Sequence, residues 1–309
     1  MKYSNTMLLR HYLWILGLCR TYGRALAPVF LFALFLVFLF GLTHLLHLNT
    51  TFPQDAASVD ELRARILWGA SFAALGVISG WCLSLAGKML TTYLPRRTLI
   101  VMASLIFVSA IALGIGTNYG GAGAQSLLQK VEQLTRVPLS ALTGWMNVAA
   151  ATTIMVLIVC CVALGIRPKR ELEAKELRQR IFDLRVLLFS SAAFLVSGVT
   201  EIFFLFDWPR HVKSIATDPL ANLAPTISAT AGALYTFLLI VIYVPTALIH
   251  EQWRFNLQNN LAQKDESLDI DAWRKRSGLE TSVLNSFSTV AAILSPLLAA
   301  IGVPLLPVK

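Results

Sequence analysis

Polar and apolar positions along this chain fall into long blocks, not the short alternations of a soluble fold. Apolar runs at 25–46, 66–87, 99–116, 146–166, 186–206 and 227–249 reach or approach the roughly 20 residues that carry a helix across a bilayer. The pattern predicts an all-α polytopic membrane helix bundle with six transmembrane helices in a domain spanning 25–250. Ahead of it, residues 1–24 interleave Leu8, Leu9, Leu13 and Trp14 with Arg10, Arg20 and Arg24, the pattern of an amphipathic amino-terminal helix lying in the membrane interface. Behind it come a polar segment, 251–280, and an apolar segment, 281–309. The latter is broken by Pro296, Pro304 and Pro307 and is a candidate seventh span or a re-entrant stretch.

Three spans carry features beyond apolarity. Gly69, Gly76, Gly80 and Gly87, with Ala and Ser between them, give the second span a small-residue face that predicts close packing inside the bundle. The sixth contains Pro245, which removes one backbone donor and predicts a helix break. The fifth contains a lone acid, Glu201, in otherwise apolar sequence. An ionisable group at membrane depth is costly and faces either the protein interior or water, so Glu201 is the first candidate for function.

Composition agrees with the pattern: 56% of the 309 residues are hydrophobic, only 14% are charged, and the mean hydropathy is +0.65, outside the range of ordinary soluble domains. The net charge of +9 reads as a topology signal, because 19 of the 26 Lys and Arg lie in 1–24, 88–98, 167–185 and 251–280, against 6 in the loops on the other side. This bias places the amino terminus in the cytoplasm and gives no reason to expect nucleic acid. A short six-span chain with no sorting signal suggests a bacterial inner membrane. Within the connection 167–185, Glu171 precedes Lys175 and Glu176 precedes Arg180 by four residues, predicting a solvated helix in a cytoplasmic hairpin. Arg167, Lys169, Arg170, Arg178 and Arg180 are its candidate surface for a protein partner or anionic lipid.

Candidate chemistry adds little. His44 and His47 share a helical face, and with Asp207 and His211 they form an outer-side polar cluster near Glu201. No motif fixes a metal-ligand set, so no metal or other cofactor is expected. Cys19, Cys82, Cys160 and Cys161 show no CxxC spacing and read as buried thiols. GxSxG, HExxH and P-loop motifs are all absent, so an enzyme is not expected. The leading functional expectation is an oligomeric pore or permeation pathway, a channel or membrane-permeabilising effector, with Glu201 as its pathway acid. The alternatives are a small-solute transporter built around Pro245 and a non-catalytic membrane subunit that docks a cytoplasmic partner.

Overall fold

The computed structural model describes residues 59–95, 129–133, 139–167, 172–212, 223–264, 269–279 and 287–305, with isolated positions between them. Every described element is helical: α1 (Val59–Tyr93), α2 (Leu139–Gly165), α3 (Ala174–Asp207), α4 (Leu223–Lys264), α5 (Ile270–Ser277) and α6 (Phe287–Gly302). Short 3-10 turns at Trp208–His211 and Val303–Leu305 follow α3 and α6. Five of these helices are long and apolar enough to cross a membrane. They correspond to the second, fourth, fifth and sixth predicted spans and to the carboxyl-terminal segment. The amino-terminal helix and the first and third spans lie outside the described residues.

The centre of the bundle is α3, which packs against α1, α2, α4 and α6. It is the most enclosed element: 61% of its apolar window is buried, against 33% or less in the other candidate spans. Its Leu184, Leu187, Leu188, Phe194 and Leu195 form the core with Leu85 and Met89 of α1, Leu157 and Leu164 of α2 and Leu239 of α4. A smaller cluster, with Trp68, Trp208, Leu139 and Val131, closes the opposite end. Tyr93 and Val131 therefore lie at opposite ends of the bundle.

Polar side chains inside the bundle form links between helices. The hydroxyls of Ser79 and Thr153 join α1 to α2, and the thiols of Cys82 and Cys160 donate weakly to the carbonyls of Ser190 and Ala86. Such pairings suit an interior with no water to compete for them. The three described cysteines are buried and free, as the sequence predicts.

Two predicted features come out differently. α1 does enter the bundle, and Ser71 and Ser79 of its small-residue face are buried there with Trp68, Leu75, Cys82 and Ala86, but Gly76 and Gly87 meet open space. The close approach occurs elsewhere, at Gly232 of α4, where a Cβ would stand 2.5 Å from the Cβ of Ala300 and 2.8 Å from the carbonyl oxygen of Pro296 in α6. Pro245 does not break its helix: α4 runs unbroken from Leu223 to Lys264, and Pro245 sits on its exposed face. A proline forfeits one backbone hydrogen bond and crowds the carbonyl of Val241 four residues before it, costs that a long apolar helix tolerates without ending.

Candidate functional site

The longest helix, α4, is longer than the hydrocarbon of a bilayer is thick. At a rise of 1.5 Å per residue the 42 residues of α4 run for about 63 Å, twice the roughly 30 Å of hydrocarbon. The surplus lies at one end, where the polar sequence 250–264 continues α4 and the polar half of α3, from Ala174 to Arg185, lies beside it. α5 completes this group. It is a single capped helix: Asp269 accepts from the backbone N–H groups of Asp271 and Ala272 at 3.0 and 3.1 Å, and Gly278, at φ +69°, closes the other end. Arg178 of α3 lies across Gly278, within 3.0 Å of where a Cβ would be.

Arg180 holds this platform to the bundle. Its Nη1 donates to the carbonyl oxygens of Leu164 and Ile166, at 3.2 and 3.0 Å, which takes up backbone acceptors left open where α2 ends. Nη2 pairs with Glu176 at 3.3 Å, the i, i+4 partner that the spacing predicts. The guanidinium lies 4.8 Å from the ring centroid of Tyr93 and 5.7 Å from that of Trp253. Around it Tyr93 donates to Asp183, Gln179 donates to the other oxygen of Asp183, and a ring nitrogen of His250 stands 3.0 Å from the carbonyl oxygen of Leu164. α1, α2, α3 and α4 thus meet on one cation.

Arg180 is consequently corrected from a surface residue to an interior one, with 5% of its surface exposed. The physical reason is that its best partners are two aromatic rings and two carbonyls from other helices, all at the same depth. Arg178 and Arg167 do reach the surface. Lys169 and Arg170 lie outside the described residues.

What faces outward on the platform is basic and aromatic. The last turn of α5 carries Arg274, Lys275 and Arg276; Arg274 holds Asp271 and Gln258, while Lys275 and Arg276 are exposed. Phe255 on the polar part of α4 is 60% exposed, an unusual setting for an aromatic ring among Asn and Gln residues.

At the other end of the bundle Glu201 is buried, and the indole N–H of Trp68 donates to its Oε1 at 3.1 Å. Trp68 is itself enclosed, stacked on Trp208 at 5.4 Å between ring centroids. Tyr235 of α4 covers Gly198, one turn before Glu201. Asp207 faces Arg210 at 2.8 Å and His211 at 3.4 Å, so the predicted cluster divides: Asp207 and His211 come together, and Glu201 turns to Trp68. Among the described residues no group of three or more His, Cys, Asp and Glu is placed to hold a metal; His44 and His47 lie outside them.

Arg180, Trp68 and Trp208 are the residues that sequence reasoning did not assign to these clusters. Aromatic residues flanking apolar runs at matching depth, Tyr93 and Trp253 at one end and Trp68 and Trp208 at the other, are the signal that would have found them. Compared with protein-family models, curated proteins and solved structures, the chain matches none.

Proposed function

We propose that this protein is a multi-pass membrane subunit whose working surface is the helical platform formed by the polar ends of α3 and α4 with α5, and that it docks an acidic protein partner there. With the Lys and Arg bias setting the orientation, the platform faces the cytoplasm. The observation that carries the reading is the burial of Arg180 among four helices. It fixes the platform rigidly to the transmembrane bundle, as a docking surface requires and a solvated linker does not.

The height of α5 favours a protein over a lipid surface. Arg274 meets Gln258, nine residues past Ile249, where the continuous apolar run of α4 ends, or about 13 Å along the helix axis. The headgroup layer on each side of the hydrocarbon is about 5–8 Å thick, so the bases of α5 stand beyond it. Phe255 supplies an aromatic anchor of the sort that dominates binding energy, while Lys275 and Arg276 supply long-range attraction. The pore expectation has less support, because Glu201, its pathway acid, is engaged by Trp68 inside the protomer.

The test is site-specific photocrosslinking in cells, with the reactive side chain placed at position 276. One adduct of defined mass is expected. Reversing Lys275→Glu and adding Phe255→Ser should cut its yield about tenfold or more, while the chain still folds, because both residues are exposed. An adduct unchanged by both substitutions, or formed only with lipid, would refute the docking reading.

A further inference from the structure

A second cluster is unused by the platform. Arg65 of α1 is only 8% exposed, yet its Nε and Nη2 have no hydrogen-bond partner; Trp208 is fully enclosed, and its indole Nε1 is likewise unmatched. The guanidinium carbon of Arg65 lies over the Trp208 ring, 5.8 Å from its centre, so the unmatched donors sit on neighbouring side chains. Nε and Nη2 are the two nitrogens on one edge of a guanidinium. That edge is the fork that grips two oxygens of a carboxylate or phosphate side-on.

The nearby carboxylates do not fill this fork. Glu201 is engaged by Trp68, and Asp207 is ion-paired with Arg210 and His211, although its Oδ1 has no well-directed hydrogen bond. Glu61, one turn earlier on the face of α1 that carries Arg65, leaves Nε and Nη2 unmatched. A buried charged donor without an acceptor is expensive, and an open guanidinium edge beside a second unmatched donor suits an oxyanion with several oxygens. Depth narrows its source. Arg65 stands six residues into α1, about 9 Å along its axis, and Trp68 and Trp208 beside it are the residue type that marks the headgroup boundary.

We propose that Arg65 and Trp208 form a phosphate-binding site, with the side-on fork of Arg65 taking two oxygens and the Trp208 indole N–H a third. The phosphate chemistry is shared by a phospholipid headgroup and a free phosphate ion, and the experiment separates them.

Full-length protein, delipidated in a non-ionic detergent, would be followed by thermal unfolding while titrated separately with phosphatidylglycerol, inorganic phosphate and a phosphate-free diglucosyl lipid. Protection by phosphatidylglycerol but not by the glucosyl lipid supports the site with a lipid as its ligand. Protection by inorganic phosphate at comparable concentration supports it with the free ion. In either case Arg65→Lys, which keeps the charge and loses the fork, and Trp208→Phe, which keeps the ring and loses the donor, should each weaken the apparent affinity about tenfold or more. Trp208→Phe decides the matter should Arg65→Lys not fold. Equal protection by the glucosyl lipid, no protection by either phosphate probe, or unchanged affinity in the variants would overturn the proposal.

Discussion

Replacing Arg180 by Leu is expected to destabilise the folded protein by about 3–5 kcal/mol, the range for removing one partner of a buried charged network. The loss has several parts. The carbonyl of Ile166 would lose the Arg180 donor and that of Leu164 would keep only the ring nitrogen of His250, Glu176 would lose its ion pair with Arg180, and Tyr93 and Trp253 would lose the cation beside their rings. Arg180→Lys should fall between Leu and wild type, because one ammonium cannot reach both carbonyls and Glu176 in a fixed fork. Denaturant unfolding in detergent micelles measures all three. Arg178→Leu is the comparison: its side chain is exposed over Gly278, and its removal should stay within about 1 kcal/mol. Equal effects at 178 and 180 would show that the Arg180 lock does not hold the platform.

The second large effect is expected at Trp68. Trp68→Ala should cost about 3–5 kcal/mol, since the side chain is fully enclosed between Trp208, Phe72 and Glu201. Trp68→Phe isolates the hydrogen bond. It keeps most of the ring and removes the one donor from another helix that reaches Glu201 among the described residues, at about 1–3 kcal/mol. Glu201→Gln in the same background should recover a large part of that loss, because a neutral amide is less costly to bury than a carboxyl without its donor. A coupling of about 0.5–3 kcal/mol in the double-mutant cycle is the expected result. Strict additivity would mean that the Trp68–Glu201 contact is not made in the membrane.

These two residues also show what the linear chain reveals. Glu201 is conspicuous because it is the only acid in a long apolar run, and the run around it does become the central helix α3. Its partner is not conspicuous: Trp68 lies 133 residues earlier, and no periodicity connects an indole in one span to a carboxyl in another. Arg180 illustrates the opposite limit. Its spacing from Glu176 is legible, and the pair forms, but the same spacing suggests a solvated helix because it reports only partners on the same helix. The aromatic rings and helix-end carbonyls that bury Arg180 come from three other elements. Glycine counts mislead for a related reason. Gly76 and Gly87 look like a packing face, yet the approach closest enough to need a glycine is at Gly232, where another helix happens to cross. Apolar runs, by contrast, depend only on local composition, so each described run falls on a helix, while the polar ends that lengthen α1, α3 and α4 past the runs are set by packing.

We propose that the bundle holds and positions the platform without itself conducting, with Glu201, which accepts from Trp68, serving as a structural acid. The most direct measurement is the conductance of purified, reconstituted protein in planar bilayers, wild type beside Glu201→Gln, with folding and insertion verified for both. The account predicts no unitary currents from either protein. Discrete currents whose ion selectivity changes on Glu201→Gln would contradict it and put that carboxylate on the wall of a pore.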